Sequence, residues 1–240
     1  MIEGLTIRRE AFPRTIRLVT TARLRSSVLL ELVGAEDIAA LAEIEGATSN
    51  RLLAQARGAG EVQPYEMVYG VPHAAFINAA FAYAKPRESN RFNDPDRGAW
   101  YAGFETETSI AEVQFHMTEM LRDTGTFEAV VDYSELFASF AGDFLDLRPH
   151  PDVAALDPTK AIGYPAGNGL ADAARARGLN GIIYPSVRMS GGTCIAALVP
   201  HAVQSVAQGD VYRMTWDGSP EPKVVRIECE NKASLKREAS

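Results

Sequence analysis

Two stretches of the sequence hold polar residues of the types that bind and transform ligands. Residues 91–116 contain Arg91, Tyr101 and Glu112, and residues 181–193 contain Ser186. Each of the four is expected in a loop or at the end of a helix or strand, where folded proteins often keep functional groups. A guanidinium group can bind an anion, a carboxylate can stabilise a positive charge, and a hydroxyl group can orient a substrate. The two stretches are therefore the candidate site.

Glu112 and His116 have the spacing of neighbours on one helix face, since residues four apart lie one turn from each other. A carboxylate and an imidazole on the same polar face could line a cleft. The alternative is structural, because Ser109 and Glu112 have the spacing of a capping box. In that motif the glutamate accepts a hydrogen bond from the serine backbone N–H. Pattern alone favours the capping role for Glu112.

Other candidates also have ordinary structural explanations. Arg91 fits a surface arginine beside a turn, although the nearby Asn93 and Arg97 could complete a small anion site. Tyr101 fits an aromatic residue of a strand that packs in the core. None of these residues indicates a particular chemistry by itself.

A serine hydrolase is not favoured. Such an enzyme would use Ser186 as nucleophile and His116 as base. The nucleophile elbow requires glycine two positions to each side of the serine, and Tyr184 and Arg188 occupy those positions.

Residues 105–107 read Glu-Thr-Glu and match the E-x-E pattern of arginine-specific ADP-ribosyltransferases. Acidic patterns of three residues are common by chance, and this one is expected in a polar loop before a helix. It is not favoured as a catalytic motif.

The elements around these residues predict an α+β protein in three parts. Apolar residues at near-helical spacing predict an appendage of two helices in residues 1–62. The main domain, residues 63–216, has predicted strands at 99–104, 127–133, 181–184, 193–199 and 211–216. Its predicted helices begin at Ser109 and span residues 168–177. Residues 217–240 are predicted to form a charged tail.

Composition excludes several classes of function. The net charge of the 240-residue chain is −7, which argues against nucleic acid as the main partner. Cys194 and Cys229 cannot build a disulfide framework, and no His or Cys spacing indicates a metal site. No signal peptide and no apolar run of membrane-spanning length is visible. The expectation is a cytoplasmic protein without a metal and without a membrane segment.

In order and spacing, the candidate residues resemble the RES domain, a family named for an arginine, a glutamate and a serine. The family pattern begins R-[WF]-N…G…Y…E and continues downstream as G…G-I-x-Y-P-S-x-R. The first block is matched by Arg91-Phe92-Asn93, Gly98, Tyr101 and Glu112. The second block is matched by Gly178 and by residues 181–188, which read GIIYPSVR. The resemblance covers about residues 65–215.

The resemblance implies a mixed-sheet core similar in fold to the ADP-ribosylating bacterial toxins. It implies an enzyme that consumes NAD⁺ by cleaving the nicotinamide–ribose bond with water or phosphate, or alternatively one that transfers ADP-ribose to a protein. Four catalytic roles follow from it: Arg91 holds the pyrophosphate, Tyr101 stacks on the nicotinamide ring, Glu112 stabilises an oxocarbenium-like transition state, and Ser186 positions the nicotinamide ribose or carboxamide. The other residues expected to line the NAD⁺ site are Asn93, His116, Tyr184 and Arg188.

The resemblance also implies the toxin half of a type II toxin–antitoxin pair. A helix-turn-helix antitoxin would cover the active site, and the toxin would form a homodimer within the hetero-oligomer. A non-catalytic binding module is the alternative class. It is not favoured, because all four polar residues of the family pattern are present.

Overall fold

The computed structural model describes residues 2–23, 62–82 and 89–227. This part of the chain is a mixed α+β structure, as the sequence predicts. Its strands are β1 (Thr6–Thr20), β2 (Trp100–Gly103), β3 (Glu128–Asp146), β4 (Gly181–Pro185), β5 (Thr193–Ala197), β6 (Gln204–Asp217) and β7 (Lys223–Ile227). Its helices are α1 (Ala74–Ala82), α2 (Thr106–Thr124) and α3 (Lys160–Ala176).

Five strands close into a ring, because β3 pairs along both of its edges. Around the ring, β1 pairs with β2, β2 with β5, β5 with β4, β4 with β3, and β3 again with β1. The β3–β4 pair is parallel and the others are antiparallel. The first half of β3 also pairs with β6, and β7 extends the sheet beyond β6. The ring places the ends of β4 and β5 beside β2 and α2.

The core explains why β4 and the end of β3 are apolar at successive positions. Neighbouring residues of a strand point to opposite faces. Phe144 and Ile183 pack in one apolar cluster, while Leu145 and Ile182 pack in another, and all four are fully buried. The helix α3 covers the second cluster with Leu170. A third cluster, under α2, fills the space between that helix and the strands β3 and β6.

The helix predicted for residues 1–62 is wrong where the structure describes it, because residues 6–20 form β1. This strand pairs with β3 from Thr6 to Thr20, so it belongs to the sheet rather than to an appendage. Pro13 stands where the register shifts between Phe12 and Thr15, as expected of a residue that has no N–H to donate to a ladder. Residues 24–61 of the predicted helical segment lie outside the described residues.

The predicted tail, residues 217–240, also needs correction. Residues 223–227 form β7 and pair with β6 from Val211 to Thr215. Residues 228–240 lie outside the described part. Among the described residues, no helix combines the length and the apolar character needed to cross a bilayer.

Candidate functional site

A short hydrogen bond joins residues from the two blocks of the family pattern, Glu112 and Ser186. The Ser186 hydroxyl donates to Oε1 of Glu112 at 2.7 Å. Glu112 lies in the second turn of α2, and Ser186 directly follows β4. Both side chains are partly exposed, so a ligand can reach them.

The loop after β4 fixes the direction of the Ser186 proton. The Ser186 hydroxyl oxygen accepts hydrogen bonds from the backbone N–H groups of Arg188 at 3.1 Å and Met189 at 3.0 Å. The Ser186 backbone N–H in turn donates to the carbonyl of Gly192 at 2.8 Å, which closes the loop. With its lone pairs occupied by two backbone donors, the hydroxyl points its proton at Glu112. This arrangement suits a positioning group rather than a nucleophile activated by histidine.

Behind this pair lie two buried groups that remain neutral. Cys194 and Tyr184 stand opposite each other on β5 and β4. Burial raises the pKa of the Cys194 thiol and the pKa of the Tyr184 phenol well above their usual ranges. The Cys194 sulfur lies 3.8 Å from Oε1 of Glu112. Within the described chain, the donors of Ser186 and Cys194 both reach Oε1, and Oε2 of Glu112 is left for a ligand.

The capping role favoured by pattern for Glu112 is wrong. The helix α2 begins at Thr106, and Glu105 occupies the capping position. Ser109 is buried inside the helix, where its hydroxyl donates to the carbonyl of Ile16 at 2.7 Å. Capping and chemistry therefore do not compete for Glu112.

Arg91 is buried, and its contacts are to the backbone. Its Nη1 donates to the carbonyls of Ala155 at 2.5 Å and Asp157 at 2.9 Å. The helix α3 crosses directly over it, because a Cβ on Gly167 would lie 2.0 Å from the Arg91 carbonyl oxygen. Arg91 thus joins the turn before α3 to the helix itself.

Tyr101 and Asn93 bind to each other. The Tyr101 hydroxyl accepts from the Phe92 backbone N–H and donates to Oδ1 of Asn93, both at 2.9 Å. The Asn93 amide nitrogen donates to the carbonyl of Asp94 at 2.8 Å. Burial raises the pKa of Tyr101, so the phenol remains protonated. These bonds hold the loop at residues 91–94 against β2, and Phe92 packs against Tyr184 at 4.8 Å between ring centroids.

Three cations lie close to the aromatic rings of Phe115 and Tyr164. The Arg188 guanidinium lies 3.5 Å from the centroid of the Phe115 ring, and the Lys160 ammonium lies 5.4 Å from it. Arg91 lies 5.6 Å from the Tyr164 ring centroid. No motif in the sequence singles out Lys160, Tyr164 or Phe115. One signal could have found two of them: Lys160, Tyr164 and Asn168 recur at every fourth residue, as on one helix face.

His116 lies one turn after Glu112, beside Phe115 and near these cations. Desolvation by surrounding atoms, and then the positive charges of Lys160 and Arg188, lower the pKa of His116 to about 4. The imidazole is therefore neutral at pH 7. Ser186 bonds to Glu112 rather than to His116, so the described residues do not form a serine-hydrolase triad.

The two glutamates of the E-x-E pattern lie at the start of α2. Glu105 accepts a hydrogen bond from the Thr108 hydroxyl at 3.0 Å, and Glu107 is exposed in the first turn. Among the described residues, no group of His, Cys, Asp and Glu side chains has the arrangement needed to hold a metal ion.

Comparison with known proteins identifies the family of the chain. No curated protein sequence matches the chain. Residues 67–217 match the RES domain, and this range includes Arg91, Tyr101, Glu112 and Ser186. It also includes β2 to β6 and all of α1, α2 and α3. The chain therefore belongs to the RES domain family.

Proposed function

We propose that this protein cleaves the bond between nicotinamide and ribose in NAD⁺. The observation that carries the proposal is the Glu112–Ser186 hydrogen bond of 2.7 Å, which holds Oε1 of a partly exposed glutamate and leaves Oε2 without a hydrogen-bond donor among the described residues. Membership of the RES domain family is consistent with an enzyme that uses NAD⁺.

Cleavage of an N-glycosidic bond passes through a transition state in which the ribose carries positive charge. A carboxylate held close to the ribose stabilises this charge more strongly than it stabilises the substrate. In the proposed mechanism, Oε2 of Glu112 supplies this negative charge. The bond electrons leave with nicotinamide, and water or phosphate adds to the ribose carbon from the solvent.

Ser186 orients the carboxylate. A glutamate whose Oε1 is held by a hydroxyl loses rotational freedom, so Oε2 is already positioned when the substrate binds. The buried neutral groups Cys194 and Tyr184 place no competing charge beside Glu112. The neutral His116 adds no positive charge at pH 7.

Labelled NAD⁺ tests the proposal. Purified protein is incubated with NAD⁺ labelled in the nicotinamide or in the adenylate part, with and without phosphate and cell lysate. Release of nicotinamide is the expected result, and its absence under all these conditions would refute the proposed function. Adenylate label recovered as ADP-ribose indicates hydrolysis, and label recovered as ADP-ribose phosphate indicates phosphorolysis. Label attached to a protein band would favour the alternative, an ADP-ribosyltransferase.

We also propose that the protein is the toxin of a toxin–antitoxin pair, with a helix-turn-helix protein that covers the Glu112–Ser186 site. Family membership supports this proposal. The test is to add the product of the neighbouring gene to the nicotinamide-release assay. Stoichiometric loss of activity is expected, whereas unchanged activity in a stable complex would show that the partner does not cover the site.

A further inference from the structure

Three cations, Arg91, Lys160 and Arg188, act on one small region of a protein whose net charge is −7. All three lower the pKa of His116 after the larger effect of desolvation. All three also oppose the rise that burial causes in the pKa of Tyr164. The carboxylates that share this region are Glu112 and Glu119. The region therefore carries a surplus of positive charge.

The cation that the family pattern assigns to the pyrophosphate is the least available of the three. Arg91 is only 6% exposed, and its Nη1 is bound to two backbone carbonyls. The helix α3 also lies against its guanidinium, because a Cβ on Gly163 would lie 2.7 Å from the same Nη1. Its position suits a residue that fixes the turn at 155–157 and contributes its charge from a distance.

Lys160 and Arg188 are placed differently. Both converge on the ring of Phe115, and this contact limits the rotamers that their long side chains can occupy. Arg188 donates from Nη2 to the carbonyl of Pro158 at 3.0 Å, directly before α3. Its guanidinium has five N–H donors, so this single hydrogen bond leaves most of its donor capacity for a ligand. Arg91 and Arg188 repel each other, which an anion bound between the helices would relieve.

Lys160 is bound to an exchangeable counter-ion. Its Nζ lies 2.7 Å from Oε2 of Glu119, and the side chains of both residues are partly exposed, at 41% and 32%. A pair this accessible to solvent contributes little free energy, so a phosphate group can compete with Glu119 for the ammonium. The carboxylate would then keep its second contact with Arg122.

We infer that Lys160 and Arg188, held by Phe115, bind the diphosphate of the substrate, and that Arg91 is a positioning residue for the turn that precedes Lys160. This inference rests on the proposed function for the identity of the substrate. The proposed site would bind any nucleoside diphosphate of suitable length, because two positively charged side chains bind the negatively charged diphosphate whatever group is attached to it.

Binding of ADP-ribose, measured by calorimetry, separates this inference from catalysis. The Lys160→Gln and Arg188→Gln variants should each bind ADP-ribose about tenfold more weakly than the wild-type protein, as expected when one charged contact to phosphate is lost. Nicotinamide riboside, which has no diphosphate, should bind to wild type and variants alike. The control is Arg213→Gln, which removes an equal charge from an exposed ion pair with Asp132. It should leave ADP-ribose affinity unchanged.

A variant that is expected to bind ADP-ribose more tightly excludes misfolding as the explanation of the losses. Glu119→Gln removes the counter-ion of Lys160, so ADP-ribose affinity should rise about two- to threefold. Damage to the fold would not increase affinity. In steady-state assays, Lys160→Gln should raise KM for NAD⁺ about tenfold and change kcat less than twofold.

The two proposals can fail separately. Unchanged ADP-ribose affinity in both Lys160→Gln and Arg188→Gln would overturn the diphosphate site, even if the wild-type protein releases nicotinamide. Weakened affinity in these variants, with a wild-type protein that releases no nicotinamide, would support the site and refute the proposed function. Failure of the wild-type protein to bind ADP-ribose would also overturn the site.

Discussion

Glu112 belongs to α2 and Glu135 contacts it, but the hydrogen bonds of the two carboxylates differ. The difference indicates a structural role for Glu135 and a chemical role for Glu112. Glu135 of β3 is 1% exposed, and both of its oxygens are occupied. Its Oε1 accepts from the Thr106 hydroxyl at 2.7 Å and its Oε2 from the Asp210 backbone N–H at 3.0 Å. Glu112 is partly exposed, and its described donors reach Oε1 alone. A carboxylate bound on both sides holds elements together, whereas one with an open oxygen can act on a ligand.

The local backbone shows how the protein accommodates Glu135. The pairing of β3 with β6 changes register between Ser134 and Leu136, next to this glutamate. A Cβ on Gly209 would lie 2.4 Å from Cζ of Phe137 and 2.6 Å from Oε2 of Glu135, so a larger residue at the bulge would have to displace one of these side chains. The Glu135 region is thus built to bury a carboxylate, while the Glu112 region leaves its carboxylate accessible.

The largest expected effect is on activity at the open carboxylate. Glu112→Gln keeps the shape of the side chain and its hydrogen bond to Ser186 but removes the negative charge. Nicotinamide release should fall about 10²- to 10³-fold, as when one transition-state contact is lost in other enzymes. Thermal unfolding should change little, because the site residue is partly exposed. The control is Glu107→Gln, an exposed glutamate of the same helix that also tests the E-x-E pattern.

An active Glu112→Gln enzyme would refute the assignment of Glu112. Loss of activity in Glu107→Gln, with Glu112→Gln active, would move the chemistry to the first turn of α2.

The second prediction concerns Glu135, whose two carboxylate oxygens are both hydrogen-bonded. Glu135→Ala leaves a half-buried hydroxyl and a half-buried backbone N–H without their acceptor. The free energy of unfolding should fall by about 1–2 kcal/mol, because water can reach these donors only in part. The protein that remains folded should release nicotinamide at close to the wild-type rate. Urea denaturation measures the first effect, and Glu128→Ala, an exposed glutamate at the start of β3, is the control. Equal stability of the two variants would contradict the structural role of Glu135.

The third prediction concerns the hydroxyl that holds the open carboxylate. Ser186→Ala removes the donor to Oε1 of Glu112 and the acceptor for two backbone N–H groups. The rate of nicotinamide release should fall about tenfold, less than for Glu112→Gln, because the carboxylate charge remains. Ser190→Ala, an exposed serine of the same loop, should be neutral. If Ser186→Ala abolished activity as fully as Glu112→Gln, Ser186 would have a more direct role than positioning.

The sequence predicted the strands that carry the site better than the helices that surround it. β2, β4 and β5 are short apolar strands bounded by turn residues, and their predicted positions differ from the structure by one or two residues. The family pattern also paired Glu112 with Ser186 across a long sequence separation. The role of Glu112 could not be derived from the local pattern, because a capping glutamate and a catalytic glutamate can both stand three residues after Ser109. The hydrogen bond to Ser186 depends on the fold and is visible only in the structure.

The errors have physical causes. Residues 6–20 have an apolar spacing that is compatible with a helix, but their β-branched residues favour a strand. Pro13 has no N–H to donate, and it stands where the pairing of this strand is interrupted. The start of α3 was missed because residues 163–167 read GYPAG, a typical loop composition. Pro165 is the sixth residue of the helix, where its missing N–H removes one helical hydrogen bond without ending the helix. The missed turns carry Lys160 and Tyr164, so Lys160, one of the two cations of the proposed diphosphate site, was also missed, whereas Arg188 was expected to line the NAD⁺ site. Gly163 and Gly167 are there for close packing on Arg91 rather than for flexibility.

The smallest expected effect is on the dependence of stability on pH. The pKa of His116 is lowered to about 4 in the folded protein, so the unfolded chain binds a proton on this residue more readily. By linkage, the stability that depends on neutral His116 is fully present above about pH 6.5, the ordinary pKa of histidine, and declines as the pH falls towards the folded value. Protein atoms crowd one side of the imidazole and desolvate it, but the residue as a whole is exposed, and the exposure is the more direct measure of solvent screening, so this contribution is small. His116→Gln should therefore flatten the fall in Tm between about pH 7 and pH 5 by a small margin and leave activity at pH 7 nearly unchanged. Differential scanning calorimetry across this range measures the effect, with His150→Gln as the control on a different histidine. A steeper fall in Tm for His116→Gln than for the wild-type protein would show that the folded state favours the charged imidazole. That result would contradict the lowered pKa of His116.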